Sequence, residues 1–123
     1  ARAENFLHGR PDLDETIKRL QAFERAGADV LFAPGLADLD MIKTVCSSVT
    51  KPVNVVMSLA LSKLTHADLA TAGVKRISLG AGLSRASFGA VMRAAREIAD
   101  QGSFTFLNDA IPAAELIAVM KSA

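Results

Sequence analysis

Three short apolar runs, Ala28 to Ala33, Val53 to Met57 and Lys75 to Leu79, begin near residues 30, 53 and 75, with one stretch of helical periodicity between each pair. That spacing is too long for hairpins and long enough for one helix per connection, so the pattern is the βα repeat of a parallel sheet. The middle run is apolar on both side-chain parities apart from Asn54, as a strand covered on both faces must be. Ala26-Gly27 before the first run is echoed by Ala72-Gly73 before the third, two βα units later, which favours a barrel segment over an irregular α+β fold. The 123 residues are about half of the roughly 250 in a closed (β/α)8 barrel.

Helix signals fall where this repeat needs them. Asp12 with Glu15 resembles a capping box, and Leu13, Ile17, Leu20 and Phe23 then share a face until Gly27. Asp38 opens a second helix, Thr65 with Asp68 caps a third, and Ser84 starts the longest, with Phe88, Val91, Met92, Ala95, Ile98 and Ala99 on one stripe. Pro112 suits the first turn of a last helix. The predicted helices are about 12–26, 38–48, 65–72, 84–101 and 112–122, and the predicted parallel strands about 29–33, 53–57 and 75–79. The fold class expected is α/β, with residues 1–123 as a single segment of a (β/α)8 barrel.

Other classes are excluded by what is missing. A formal net charge of +1 with scattered basic residues leaves no electrostatic footprint for nucleic acid, and without Trp or Tyr the usual base-stacking platforms are absent. The apolar stretch Val53 to Leu61, interrupted by Asn54 and Ser58, is too short to cross a bilayer. Cys46 is alone, which rules out an intrachain disulfide or a CxxC metal knuckle and fits a reducing cytoplasm. Gly80-Ala81-Gly82 lacks the third glycine of a dinucleotide fingerprint and reads as a plain loop.

The ends of the strands carry the chemistry in such an array. The chain opens without Met on Ala1-Arg2-Ala3-Glu4, which reads as the tail of a strand placing Arg2 and Glu4 on one face, so the chain is expected to be part of an enzyme. Arg2 offers a bidentate fork for a carboxylate or phosphoryl group, or else is the ion-pair partner of Glu4. Glu4 is either a carboxylate that positions metal-bound water or that same partner. Asn54, in an apolar strand, needs a hydrogen-bond partner, either substrate or the backbone of a neighbouring strand. Arg85, one residue into a helix after a glycine loop, sits where anions are favoured. His8 and His66 are expected to be exposed, and no metal-binding or Ser-His-Asp spacing can be assembled from the two histidines and one cysteine.

Ala1 to Phe6, Leu13 to Arg19, Ala26 to Phe32, Lys51 to Val55, Leu83 to Ala86 and the tail from Gly102 to Pro112 resemble the C-terminal half of the isocitrate lyase/phosphoenolpyruvate phosphonomutase superfamily, nearest its phosphonomutase and 2-methylisocitrate lyase-like members. The resemblance implies a partial TIM barrel of about strands 5 to 8 with their helices, in a homo-oligomeric cytoplasmic enzyme that cleaves or rearranges C–C or C–P bonds beside a 2-oxo acid. It implies Mg2+ as cofactor, with ligands in the family's first half, which is not represented. By that resemblance Arg2 would bind the carboxylate or phosphoryl group of a small anionic 2-oxo acid or phosphonate, Glu4 would sit near the metal's water shell, and Arg85 would lie at the rim after the last strand. With Asn54 added from the strand reading, the expected catalytic residues are Arg2 and Glu4 and the expected substrate-binding residues Arg2, Asn54 and Arg85. Two departures argue against a 2-methylisocitrate-type substrate. Pro34 stands where the lyases carry a glutamate after the sixth strand, and the lyases' seventh-strand asparagine falls at Val56.

Two functional readings remain. One is a segment of a Mg2+-dependent lyase or phosphonomutase-like enzyme, inactive in isolation. The alternative is a noncatalytic half-barrel fragment or assembly module, whose open sheet edges and apolar faces would drive self-association.

Overall fold

The computed structural model describes residues 1–121. They form two compact units, Ala1–Gly82 and the residues from Leu83 onward. In the first unit, α1 (Leu13–Arg25), α2 (Leu39–Ser47) and α3 (His66–Thr71) alternate with β1 (Leu31–Phe32), β2 (Val53–Val56) and β3 (Arg76–Ser78). The strands lie in the order β1-β2-β3, all parallel, with Phe32 opposite Asn54 and Asn54 opposite Arg76. A parallel bridge between Arg2 and Phe32, outside the named strands, sets the opening residues beside β1. Ala3 donates to the Phe32 carbonyl and Phe32 to that of Ala1, both at 2.9 Å.

Alternation sorts the strand residues onto two faces. Ala3, Leu31, Val53 and Val55 are buried with Leu20 of α1, Ile42 and Val45 of α2, and Leu69 of α3, and these residues make the core. Each such leucine or isoleucine removed from water contributes about 1.5–3 kcal/mol. The opposite face carries Arg2, Phe32, Asn54, Val56, Arg76 and Ser78 by register, with no helix of the first unit assigned to it.

The caps explain where helices begin. The side chains of Asp12 and Asp38 accept from the backbone N–H groups of Glu15 and Met41, and Thr65 with Asp68 forms a complete capping box. The box expected at Asp12 and Glu15 is only half formed, because the Glu15 carboxylate turns instead to Arg19 one helical turn on. Gly35, after β1, has φ 98°, and a Cβ there would lie 2.8 Å from that of Phe6, so glycine lets this turn press against the segment following Glu4.

Helix α4 (Gly82–Gln101) opens at the last residue of the first unit and runs through the second, which also contains a 3-10 turn at Thr105–Asp109 and α5 (Ala113–Lys121). Residue 122, the expected end of the last helix, lies outside the described residues. Two expectations are corrected. α4 starts at Gly82 rather than Ser84, so Gly82 is helical and the loop shrinks to Gly80-Ala81. The 3-10 turns at Leu59–Leu61 and Thr105–Asp109 stand where only connections were expected, being too short to leave a periodic signal.

Candidate anion-binding site

Arg2 and Glu4 are joined by an ion pair between Nη2 and Oε1, the outcome that two residues on one face of a strand make available. The Arg2 guanidinium also lies over the Phe32 ring, 5.2 Å from its centroid, because the bridge sets those residues side by side. A carboxylate at its edge and a ring beneath it hold the planar cation, leaving its remaining N–H edge as the available donor set. The second Glu4 oxygen, Oε2, lies 3.7 Å from His8 Nε2. His8 is exposed as expected.

An open cleft of about 820 Å³ adjoins this group, lined by Arg2, Glu4, Asn5, His8, Arg10 and Arg19. Its shape depends on Asn5, a buried residue that sequence reasoning did not single out. Its Nδ2 donates to the carbonyls of Arg10 and Asp12 at 3.1 Å and to Thr16 Oγ1 at 2.6 Å, while Thr16 Oγ1 donates to the Asp12 carbonyl. The loop between Glu4 and α1 is thereby fastened to the first turn of the helix.

Asn54 is the second residue of β2, not a strand-end residue. It is 4% exposed, and its Nδ2 donates to Ser78 Oγ at 3.1 Å, so its partner is a side chain on the adjacent strand. Its Oδ1 is buried without a partner. Arg2 and Asn54 line one cavity of about 320 Å³ on the open face, together with Phe32, Arg76 and Ser78. Neither Arg76 nor Ser78 was singled out from the sequence, although polar residues two apart in an apolar strand are a signal for one polar face. Arg85 belongs to the second unit and is exposed. Since α4 begins at Gly82 rather than Ser84, Arg85 is its fourth residue, within the first turn.

Across residues 1–99 the chain matches the sequence pattern of the phosphoenolpyruvate phosphomutase family. The chain belongs to the PEP mutase/isocitrate lyase superfamily. A Burkholderia cenocepacia protein provisionally called a lyase/mutase shares 52% identity, with a TM-score of 0.91 over 96% of this chain and 42% of its own. An uncharacterised Mycobacterium tuberculosis protein is 34% identical over 94% of this chain and 43% of its own length. 2,3-Dimethylmalate lyase, at 20% identity and a TM-score of 0.72 over 99% of this chain and 46% of its own, shares the fold. The chain therefore spans less than half the length of these superfamily relatives, and its three parallel strands with their helices match part of the superfamily barrel.

The residues of this segment do not fit a magnesium site. Among the described residues no group of three or more His, Cys, Asp or Glu side chains could hold a metal ion. Glu4, the carboxylate at the site, already faces Arg2 through one oxygen and His8 through the other, which suits holding a guanidinium rather than a hard dication.

Proposed function

We propose that this segment supplies part of the substrate-binding wall of a lyase or phosphonomutase-like enzyme that acts on a C–C or C–P bond next to a 2-oxo acid. The observation that carries the reading is the Arg2 guanidinium, held edge-on by Glu4 and stacked on Phe32 at the strand end next to β1. Arg2 grips a substrate carboxylate or phosphoryl group through its free N–H edge, and Glu4 is a positioning residue that acts through Arg2. Asn54, on the wall of the same cavity, orients the bound acid, and Arg85 is an exposed cation on the helix that follows β3. The complete protein is an oligomer in this reading. A second reading, a noncatalytic structural half-barrel, is favoured by the Arg2–Glu4 pair itself, since that pair already satisfies one edge of the cation.

Steady-state kinetics of the complete protein with oxaloacetate, methylisocitrate and phosphonopyruvate, run beside a melting curve, separate the two. Arg2→Lys keeps the charge but loses the planar fork, so kcat/KM falls about tenfold or more with little change in Tm. Unchanged activity, or activity that falls only in step with Tm, makes Arg2 a structural partner of Glu4.

A further inference from the structure

The register places Arg2, Phe32, Asn54 and Arg76 in one lateral row across the open face of the sheet. Three strand spacings separate the ends of that row, about 14 Å between backbones. Both arginines nevertheless line a single cavity of about 320 Å³, at the small end of the range for ligand sites. None of the residues lining it is acidic.

The two cations differ in one respect. The Arg2 charge is offset by Glu4, whereas Arg76 is exposed and makes no ion pair with any described residue. Between them lies a fixed polar floor. The Ser78 hydroxyl accepts from Asn54 Nδ2 and lies 3.4 Å from the Val55 carbonyl, to which it donates, so it links the Asn54 amide to the β2 backbone. Its Oδ1 remains a buried acceptor with no donor, on a residue that is 4% exposed and directly opposite Arg76 on the adjacent strand. A buried acceptor left unmatched costs free energy, and a ligand hydroxyl or a reoriented guanidinium N–H would recover it.

We infer that Arg76 is a second anion-binding residue of this cavity, opposite Arg2, and that the cavity selects small ligands carrying an anionic group at each end. The assignment rests on the proposed substrate-binding role of Arg2 and extends it to the other end of the ligand. Arg76 takes the far carboxylate or phosphoryl group, and Asn54 and Ser78 meet the uncharged middle.

Calorimetry with succinate and acetate on the complete protein tests this without requiring turnover. The wild type should bind succinate at least about tenfold more tightly than acetate, and Arg76→Gln should weaken succinate about tenfold while moving acetate less than about threefold. Arg76→Lys, which keeps the charge, should fall between the two and carries the test if the glutamine variant does not fold. Loss of the succinate preference in a variant whose Tm is unchanged supports the assignment. A wild type without that preference, or either folded variant retaining the wild-type ratio, overturns it. So does a large drop in Tm for both variants, which would make Arg76 the structural partner of an acid elsewhere in the protein. A protein that binds succinate through Arg76 but turns over no 2-oxo acid keeps this assignment and loses the lyase reading. Turnover with an unaltered preference in Arg76→Gln does the reverse.

Discussion

Asn5 shows how a single amide can set a functional loop. Its Nδ2 is surrounded by three acceptors, the carbonyls of Arg10 and Asp12 and the hydroxyl of Thr16, and that surrounding fixes the amide orientation. Asn5→Asp puts an acceptor where these groups need a donor, and should destabilise the protein by about 1–3 kcal/mol. Thermal unfolding of the complete protein checks the loss. If Tm does not move, the loop is held by other contacts and Asn5 is dispensable. Sequence reading found Arg2 and Glu4 because a period of two in a short polar tail is visible in one dimension. It passed over Asn5 and Thr16 because they lie eleven residues apart and meet only once α1 has folded back onto the loop.

At the level of elements, carboxylates staple loops to helices. Glu24, near the end of α1, accepts through Oε1 from the Thr50 and Lys51 backbone N–H groups, each at 2.9 Å, and from the Thr50 hydroxyl. These bonds, led by the Thr50 hydroxyl, hold its pKa below the ordinary carboxylate value. Glu97 does the same in the second unit, accepting from Ser103, Thr105 and Phe106, with the Ser103 hydroxyl the largest cause of its lowered pKa. A carboxylate whose folded pKa is depressed stabilises the protein above its unfolded pKa, and the contribution is lost as pH falls through the folded value. The stability gap between wild type and Glu24→Gln should be constant near neutrality and close below the usual glutamate range, about pH 4.3. Denaturant titrations from pH 7 down to pH 3 measure it, and a gap that does not narrow would show that charge plays no part in the staple. The order of helices and strands is legible from the sequence because caps and apolar periods are local signals. Strand length is not: the first run was expected over 29–33 and pairs as a strand only at Leu31–Phe32, since a strand ends where its neighbour stops offering partners. For the same reason Asn54 could be read as needing a partner but not as bonded to Ser78, which the register of β2 against β3 decides.

Parallel sheets are ordinarily covered on both faces, yet helices of the first unit cover only the face holding Leu31, Val53 and Val55. Apolar surface is equally prominent in the second unit, where Leu83 and Phe88 of α4 and Met120 of α5 are each about 70% exposed. No helix among the described residues is long and apolar enough to cross a membrane. The relatives that match this chain are more than twice its length, which provides further chain in those proteins to cover such faces. Burying apolar area contributes about 25 cal/mol per Å², so the 123-residue chain prepared alone has a strong incentive to bury these faces against other copies. Sedimentation velocity over a micromolar concentration series should show mass rising above that of the monomer, and a hydrophobic dye should bind the isolated chain but not the complete protein. A sharp monomer boundary with no dye binding would mean that the chain closes its apolar faces by itself, and that neither the open sheet face nor the α4 surface requires the rest of a barrel.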